Sequence, residues 1–457
     1  MYKLNSDKKL PYNSYLIKYI TENYGYNDET LVYSNKYTGG TFSITTPKTT
    51  FCNCKYINGY PHFNINKEIA LEEINNFINE IPIYDNNFII RFGDTHPHKP
   101  VPKLAQIRNI YINDIMNSMI TTKKTKKSIY TIGDISVKSI QDFLIKNNID
   151  NFNECSEKIF KALVNNTFDE NCFFQKYCCY KEDSLFQIQE FFNKIGINCQ
   201  QFLFESELYK NNNLYNKIKS FDYFKDELKQ NGELKYSLQE LMFIFNMIEN
   251  DDFLINIIGC NQEEHIRKVL SLINKYDNNL NLNFLAYGFC KNGESRDIEE
   301  WSRKIDSFIE TNKIVINNEY ISFSFFLKIL FISLNNNNII NFNDLEKYKG
   351  DINKFKLIYD SFLNNEKMFN NDDYRVDNDL INMMSLVNYY LDKSIQSGDH
   401  SLFFKYIYNI VKEFNKKKDI YKNMQYLYYN FLYVALKRMS IFNEYQKKEN
   451  LERRLIL

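Results

Sequence analysis

Glycine, proline and tryptophan are scarce in this chain, which has 13, 7 and 1 of them among its 457 residues. Asparagine, isoleucine, lysine, tyrosine and phenylalanine are used heavily instead. An AT-rich genome accounts for this bias, so we expect asparagine runs such as 335–338 to be loop filler and not prion-like segments. The chain is long enough for two or three domains.

Other absences argue against whole classes of function. Lysine plus arginine and aspartate plus glutamate number 57 each, so no net charge points to nucleic acid or to a membrane surface. The sequence has no run of about 18 apolar residues, as a membrane-spanning helix requires, and its start lacks the apolar core of a signal peptide. We therefore expect a cytoplasmic protein without membrane contact.

Metal sites are not indicated either. The nine cysteines form only two close pairs, Cys52 with Cys54 and Cys178 with Cys179, and neither has a second pair at zinc spacing. His96 and His98 lie two residues apart, but no third ligand follows at a suitable spacing. We expect free thiols, surface histidines and no bound metal.

Apolar runs divide the chain into three predicted domains. Residues 1–86 mix short strand-like runs with one helix, predicted over 69–81. Residues 87–304 alternate apolar runs with helical patterns, which is typical of an α/β domain with a parallel sheet. Its predicted strands are Phe88–Phe92, Ser128–Ile132, Cys199–Phe204, Phe253–Ile258 and Leu282–Tyr287. In residues 305–457 the strand signals stop, and the helical period predicts helices at 321–334, 352–363, 379–396, 401–415 and 420–442.

The most informative segment is K-P-V-P-K-L-A-Q-I-R-N at 99–109. It follows the first predicted strand and opens a helical pattern that extends to Ile120. A strand, a proline-containing turn and a helix start are the beginning of many α/β nucleotide sites. Free N–H groups and the positive end of the helix dipole are available there for phosphates.

This segment resembles the position at which class I aminoacyl-tRNA synthetases carry H-I-G-H, followed by L-R-N in arginyl-tRNA synthetases. Further segments resemble that family in the same order. They are Y-T-I-G-D at 130–134, F-L-F-E-S-E-L-Y at 202–209, Y-S-L-Q-E at 236–240, I-I-G-C-N-Q-E-E-H at 257–265, and D-H-S-L at 399–402. The resemblance implies a class I synthetase core with a Rossmann-like parallel sheet, an N-terminal α+β add-on and a C-terminal all-helical anticodon-binding domain of the D-A-L-R type.

The departures from the family concern its reaction centre. In the family the two signature histidines stabilise charge as the adenylate forms, and such donors are worth about 3–4 kcal/mol each. Here Lys103 and Gln106 take their positions, and the family's T-R-D element is L-Q-E at 238–240. We therefore assign no catalytic residue. We expect a remnant of the nucleotide site. The alternatives are a solvated basic turn left over from ancestry for Lys99, Lys103 and Arg108, and a retained structural residue for His265. The residues concerned are Lys99, Lys103, Gln106, Arg108, Gly259, Gln262 and His265.

Two carboxylates and a basic region complete the candidate sites. Asp134 and Glu205 either mark a guanidinium pocket, which needs paired carboxylates, or are inherited fold residues. Residues 380–457 contain 13 lysines and arginines against 7 aspartates and glutamates. With the resemblance, this favours contacts to anticodon bases and phosphates over a solvated amphipathic face. The predicted tRNA-binding residues are Lys416, Lys417, Lys418, Tyr421, Lys422, Lys437 and Arg438.

A second resemblance refines the expected function. Eukaryotic proteins that contain a D-A-L-R anticodon-binding domain also replace H-I-G-H, with L-S-Q-L-R, and L-A-Q-I-R at 104–108 is similar. That group implies a non-catalytic adaptor that needs no cofactor and presents arginine tRNAs to a 3-methylcytidine methyltransferase. The alternative is a diverged, active arginyl-tRNA synthetase that uses ATP. A scaffold that has lost RNA binding is a third possibility.

Overall fold

The computed structural model describes residues 4–5, 14–24, 31–34, 41–44, 55–57, 60–63, 65–150, 155, 158–159, 162, 172–197, 199, 201–209, 212–220, 235–248, 252–276, 280–288, 290–291, 296–316, 319–335, 338–365, 378–417 and 424–442. The strands are β1 Leu4–Asn5, β2 Leu31–Ser34, β3 Thr41–Ile44, β4 Lys55–Ile57, β5 Tyr60–Phe63, β6 Asn87–Thr95, β7 Lys126–Ile132, β8 Gln201–Phe204, β9 Asp252–Gly259, β10 Asn281–Tyr287, β11 Cys290–Lys291, β12 Val315–Ile316, β13 Glu319–Tyr320 and β14 Ile340–Asn341.

The α-helices alternate with these strands and then dominate the last third of the chain. They are α1 Tyr15–Tyr24, α2 Lys67–Ile78, α3 Leu104–Met119, α4 Val137–Lys146, α5 Cys172–Lys194, α6 Glu205–Leu208, α7 Asn212–Ser220, α8 Tyr236–Met247, α9 Glu263–Tyr276, α10 Ile298–Thr311, α11 Phe323–Ser333, α12 Lys349–Asn365, α13 Asn378–Ser385, α14 Val387–Ser397, α15 Ser401–Lys416 and α16 Gln425–Arg438. No helix among the described residues is long and apolar enough to cross a membrane.

The central sheet has the strand order β1-β10-β9-β6-β7-β8. The five strands from β10 to β8 are parallel, and β1 adds an antiparallel edge. Four of the five parallel strands contain a predicted strand, and β8 is the last four residues of the predicted Cys199–Phe204, so the prediction of a parallel α/β core is confirmed. The apolar runs predicted them because strands covered by helices on both faces read as nearly continuous hydrophobic segments.

Side chains of the central strands alternate between two apolar layers. Phe88, Ile90 and Phe92 of β6 pack in one layer with α3 and the C-terminal helices. Ile89 of the same strand packs in the other layer, with α8 and α9. Because successive strand residues point to opposite faces, Arg91 lies on the same face as Ile89.

The N-terminal sheet is antiparallel, in the order β2-β3-β5-β4. Beside it, α2 packs on the C-terminal helices: Glu73 is fully buried and accepts hydrogen bonds from Ser14 Oγ at 2.7 Å and Asn388 Nδ2 at 2.9 Å. Strand β1 joins the central sheet. The first residues of the chain therefore contact both other parts, and the domain boundaries at 86 and 304 stay a prediction.

The last part of the chain is helical, as predicted, with two refinements. The pattern at 379–396 is two helices, α13 and α14, which meet at Leu386. Three two-residue strands also follow residue 305: β12 pairs with β13, and β14 pairs with β11. Two residues are too few to show the alternation from which strands are predicted.

Candidate functional site

A polar cavity of about 290 Å³ lies at the carboxyl edge of the central sheet, beyond the ends of β6, β9 and β10. This edge is where ligands bind in open α/β sheets. The cavity is lined by Arg91, Gly93, Lys103, Gln106, Asn109, Glu240, Asn256, Ile257, Ile258, Gly259, Asn261, Gln262, His265, Ile266, Tyr287 and Cys290. Five of the seven predicted remnant residues meet here: Lys103, Gln106, Gly259, Gln262 and His265.

The start of α3 forms one wall of the cavity. Lys103 is the N-cap residue, and its backbone N–H donates to Gln106 Oε1 at 2.9 Å. A glutamine at the third helical position that reaches back to the cap is half of a capping box, and it satisfies a donor that the helix cannot. The two signature positions are thus a cation, Lys103, and an amide, Gln106, whose side-chain oxygen caps the start of its own helix.

The turn after β9 forms the opposite wall. A Cβ on Gly259 would lie 2.6 Å from Asn261 Oδ1, so a larger residue here would make the Asn261 side chain move. A short 3₁₀ turn, Cys260–Gln262, leads into α9, on whose first turn His265 lies. Two helices therefore begin at the cavity, and their free N–H groups favour an anionic group between them.

A buried ion pair divides this site in two. The Arg91 guanidinium donates to Glu240 Oε1, and Asn256 Nδ2 donates to the same oxygen at 2.7 Å. Arg91 and Glu240 also line a second cavity of about 10 Å³, with Thr131, Leu203 and Glu205. That volume holds about one water molecule. Sequence reasoning missed Arg91, although a lone charge inside the apolar run 88–92 was a visible signal.

The other two predicted remnant residues lie outside the cavity. Lys99 is exposed in the turn after β6, where its backbone N–H donates to the His96 carbonyl at 2.8 Å. Arg108 is fully buried and points into the protein. Its guanidinium donates to the carbonyls of Gly288, Asn335 and Asn338 at 3.1, 2.9 and 2.6 Å. The structure thus gives Arg108 a role in holding two loops, and its guanidinium is committed to them.

Asp134 is neutralised from within the fold. Its carboxylate forms an ion pair with Lys181 of α5, and it accepts hydrogen bonds from Ser206 N at 2.9 Å and Ser206 Oγ at 2.6 Å. Lys181 Nζ also lies 4.3 Å from the centroid of the Phe204 ring. This arrangement favours the interpretation of Asp134 as a fold residue. Glu205 lines the 10 Å³ cavity.

The histidines before α3 make local hydrogen bonds. The imidazole rings of His96 and His98 stack with centroids 5.4 Å apart. His96 Nδ1 lies 3.0 Å from the Gly133 carbonyl, and His98 Nδ1 lies 3.0 Å from Ser139 Oγ. Burial, followed by the electrostatic influence of the neighbouring His96 and Lys99 side chains, lowers the pKa of His98. These contacts connect the turn after β6 to the segment that follows β7.

The predicted tRNA-binding residues that the structure describes form two separate groups. Lys416 and Lys417 lie at the end of α15, where both pair with Glu413, at 3.6 and 3.2 Å. Lys437 and Arg438 lie at the end of α16, and both pair with Glu80 beyond α2. Lys418, Tyr421 and Lys422 lie outside the described residues.

The two groups are at opposite ends of a helix pair. The rings of Phe414 and Tyr428 stack with centroids 3.6 Å apart, which fixes the end of α15 against the start of α16. Lys437 is nine residues beyond that contact, or about 13 Å along the helix. Since Arg438 is buried and Lys437 is paired across a structural contact, only Lys416 and Lys417 of the described group resemble a nucleic-acid surface.

Comparisons with known proteins agree with this architecture. Over 94% of this chain and 96% of the other, the structure is similar to the arginyl-tRNA synthetase of Plasmodium falciparum, with a TM-score of 0.62 and 13% identity. It is also similar to the arginyl-tRNA synthetase of Thermus thermophilus, with a TM-score of 0.53 and 9% identity over 85% of this chain and 86% of the other. No protein-family model matches, and no curated protein matches by sequence. The chain has the class I fold of arginyl-tRNA synthetases.

Proposed function

We propose that this chain is a synthetase-like tRNA-binding protein that does not aminoacylate. The observation that carries the proposal is the start of α3, where Lys103 and Gln106 replace the signature histidines and the Gln106 oxygen caps its own helix at 2.9 Å. An amide whose oxygen caps its own helix can offer a phosphate only neutral N–H donors, which stabilise developing charge less than a charged donor does. The amide also has no proton that titrates near neutral pH, unlike imidazole.

The tRNA part of the proposal is supported by the fold and by one basic surface. The two solved structures compared above are named as arginyl-tRNA synthetases, and they cover 94% and 85% of this chain. Lys416 and Lys417 end α15, and the Lys416 side chain is 60% exposed. We therefore propose arginine tRNAs as the RNA partners and, from the L-A-Q-I-R segment, a tRNA methyltransferase that makes 3-methylcytidine as the protein partner. We propose that the protein acts in the cytoplasm.

The test is to purify the full chain from cells and to sequence the tRNAs bound to it. The proposal expects enrichment of arginine isoacceptors, and loss of 3-methylcytidine from those tRNAs when the gene is deleted. Binding should weaken steeply with salt, because phosphate contacts release counterions. A chain that binds no tRNA at low salt would instead support the scaffold function.

A second candidate function is an active, diverged arginyl-tRNA synthetase. The observation in its favour is the 290 Å³ cavity between two helix starts, with Lys103 at its wall. This cavity has room for part of a nucleotide, and a lysine can neutralise phosphate charge. ATP would then be the co-substrate, and incorporation of arginine into tRNA would distinguish this function from the adaptor.

A further inference from the structure

The wall between the two cavities has the chemistry of a filled ligand site. The Arg91 and Glu240 side chains are 12% and 3% exposed and form an ion pair. Asn256, which lies opposite Arg91 in the register of β9, donates to the same carboxylate. The Arg91 Cζ lies 4.3 Å from the centroid of the Phe243 ring. The guanidinium is thus held by a carboxylate at its edge and by an aromatic ring at its face.

Packing alone does not account for this ion pair. Most of the same face of the sheet is apolar, with Ile89 and Leu254 buried beside α8. Burying two charges carries a desolvation cost, and apolar residues of the same volume are often as stable or more stable in such places. A charged pair at the carboxyl edge of a parallel sheet therefore points to a site that is built for binding.

Arg91 also lies on the wall that the two cavities share. Both Arg91 and Glu240 line the 290 Å³ cavity and the 10 Å³ cavity. Shortening the Arg91 side chain to Cβ would open space at this wall beside Glu240 and Phe243. A carboxylate next to an aromatic ring is a combination that recognises a planar guanidinium through paired hydrogen bonds and a cation–π contact.

We propose that Arg91 is the built-in occupant of a guanidinium-binding site whose carboxylate is Glu240, and that it excludes free ligands with a guanidinium group. This deepens the proposed function and rests on it, since an internal cation at this carboxylate leaves no place for the arginine side chain as a substrate. The Arg91 guanidinium takes the place of a guanidinium ligand at Glu240, and the folded protein contains this site in its occupied form.

The test uses the full chain with Arg91→Ala and the ligand ethylguanidinium, which restores the atoms that the substitution removes. Calorimetry should show saturable binding to Arg91→Ala and none to the unsubstituted chain. Binding to Arg91→Ala/Glu240→Gln should be about 10- to 100-fold weaker, as expected for the loss of a hydrogen bond to a charged group. N-ethylurea, the neutral analogue, should not bind to either variant.

A second variant keeps the test decisive if Arg91→Ala does not fold. Arg91→Gln retains a hydrogen-bond donor for Glu240 and leaves a smaller space, so it is titrated with guanidinium itself at concentrations far below those that denature. A folded variant without saturable binding would overturn the proposal, and so would equal binding to the double variant or to N-ethylurea.

The result is separable from the test of the proposed function. Absence of tRNA binding by the unsubstituted chain would overturn the proposed function without any change in how Arg91→Ala binds ethylguanidinium, whereas charging with arginine would overturn both. Failure of ethylguanidinium to bind would overturn the role of Arg91 and would leave tRNA binding as measured. L-arginine is the last ligand in the series, and Arg91→Ala should bind it when the unsubstituted chain does not.

Discussion

At the scale of single residues, buried charges in this chain are held by partners that the sequence does not reveal. Arg108 belongs to the most informative sequence segment, yet its guanidinium binds the carbonyls of loops that lie 180 or more residues away. Asn335 of one loop also donates to Asp399 Oδ2, at 2.5 Å. Arg108 therefore connects the signature helix to the start of α15. Its position in a motif predicted a ligand contact, whereas its contacts are internal.

The same region contains a histidine that should make stability depend on pH. His400 is fully buried, and its Nε2 donates to the Phe331 carbonyl at 2.7 Å. Burial lowers the pKa of His400 to about 4, against 6.5 for an ordinary histidine. Between these values the unfolded chain binds the proton more readily, so the free energy of unfolding should fall as pH decreases from 7 to 4, by roughly 3 kcal/mol in total.

His400→Gln is the matched variant, because glutamine keeps a donor for Phe331 and does not titrate. Urea unfolding between pH 4.5 and 7.5 should show a shallower pH dependence for His400→Gln than for the unsubstituted chain. Identical pH dependence of the two proteins would contradict the assignment of a neutral, buried His400.

Gln106 should contribute to stability and not to RNA binding. Gln106→Ala removes the side chain that accepts from Lys103 N–H, and loss of such a cap costs about 0.5–2 kcal/mol. Gln106→Glu retains an acceptor and should restore most of the loss. Thermal unfolding and tRNA affinity are measured for both variants and for Lys103→Ala. A marked loss of tRNA affinity in a folded variant would mean that the signature segment still binds a ligand.

At the scale of helices and strands, the hydrophobic pattern predicted which segments are helices and which are strands. It did not predict which of these segments contact one another. The run at 88–92 lies within β6, and the pattern up to Ile120 is the helix α3, because burial on fixed faces imposes periods of two and 3.6 residues. The register that brings Arg91 beside Asn256, and the approach of Glu240 from α8, depend on contacts about 150 residues apart. The hydrophobic periodicity of a segment does not report contacts between distant segments. The cavity divided by Arg91 and Glu240 could therefore not be predicted from the sequence.

The end of α15 is the element that should contribute phosphate contacts. Lys416→Ala/Lys417→Ala should weaken binding to all tRNAs and reduce the slope of log affinity against log salt by about 1.4–1.8 if each lysine contacts one phosphate. Glu413→Gln is the opposite control, since it removes the carboxylate that pairs with both lysines, leaving Lys417 only its 4.0 Å contact with Asp379, and should strengthen binding. Filter binding at several salt concentrations measures both effects. An unchanged slope in the double variant would identify these lysines as a solvated face.

At the scale of the whole molecule, the parts predicted as separate domains share one core. Tyr84 donates to Asp392 Oδ1 at 2.5 Å, and Lys437 pairs with Glu80. These contacts join the residues before β6 to the C-terminal helices. Lys437, a basic residue near the end of the chain, therefore stabilises the packing of the fold. The resemblance to arginyl-tRNA synthetases predicted the class I fold correctly because it used segments along most of the chain. Charge and the resemblance together predicted an RNA surface at Lys437 and Arg438, whereas the structure pairs both with Glu80.

The most direct test of the proposed function is an aminoacylation assay on a preparation whose tRNA binding has first been measured. Arginine, ATP and total tRNA are supplied, and both charged tRNA and pyrophosphate exchange are followed. The proposal predicts salt-sensitive tRNA binding with no charging or exchange above background, since two lost donors slow the reaction by roughly 10⁴-fold or more. Charging within about a hundredfold of an ordinary synthetase would contradict it and establish the chain as an active enzyme.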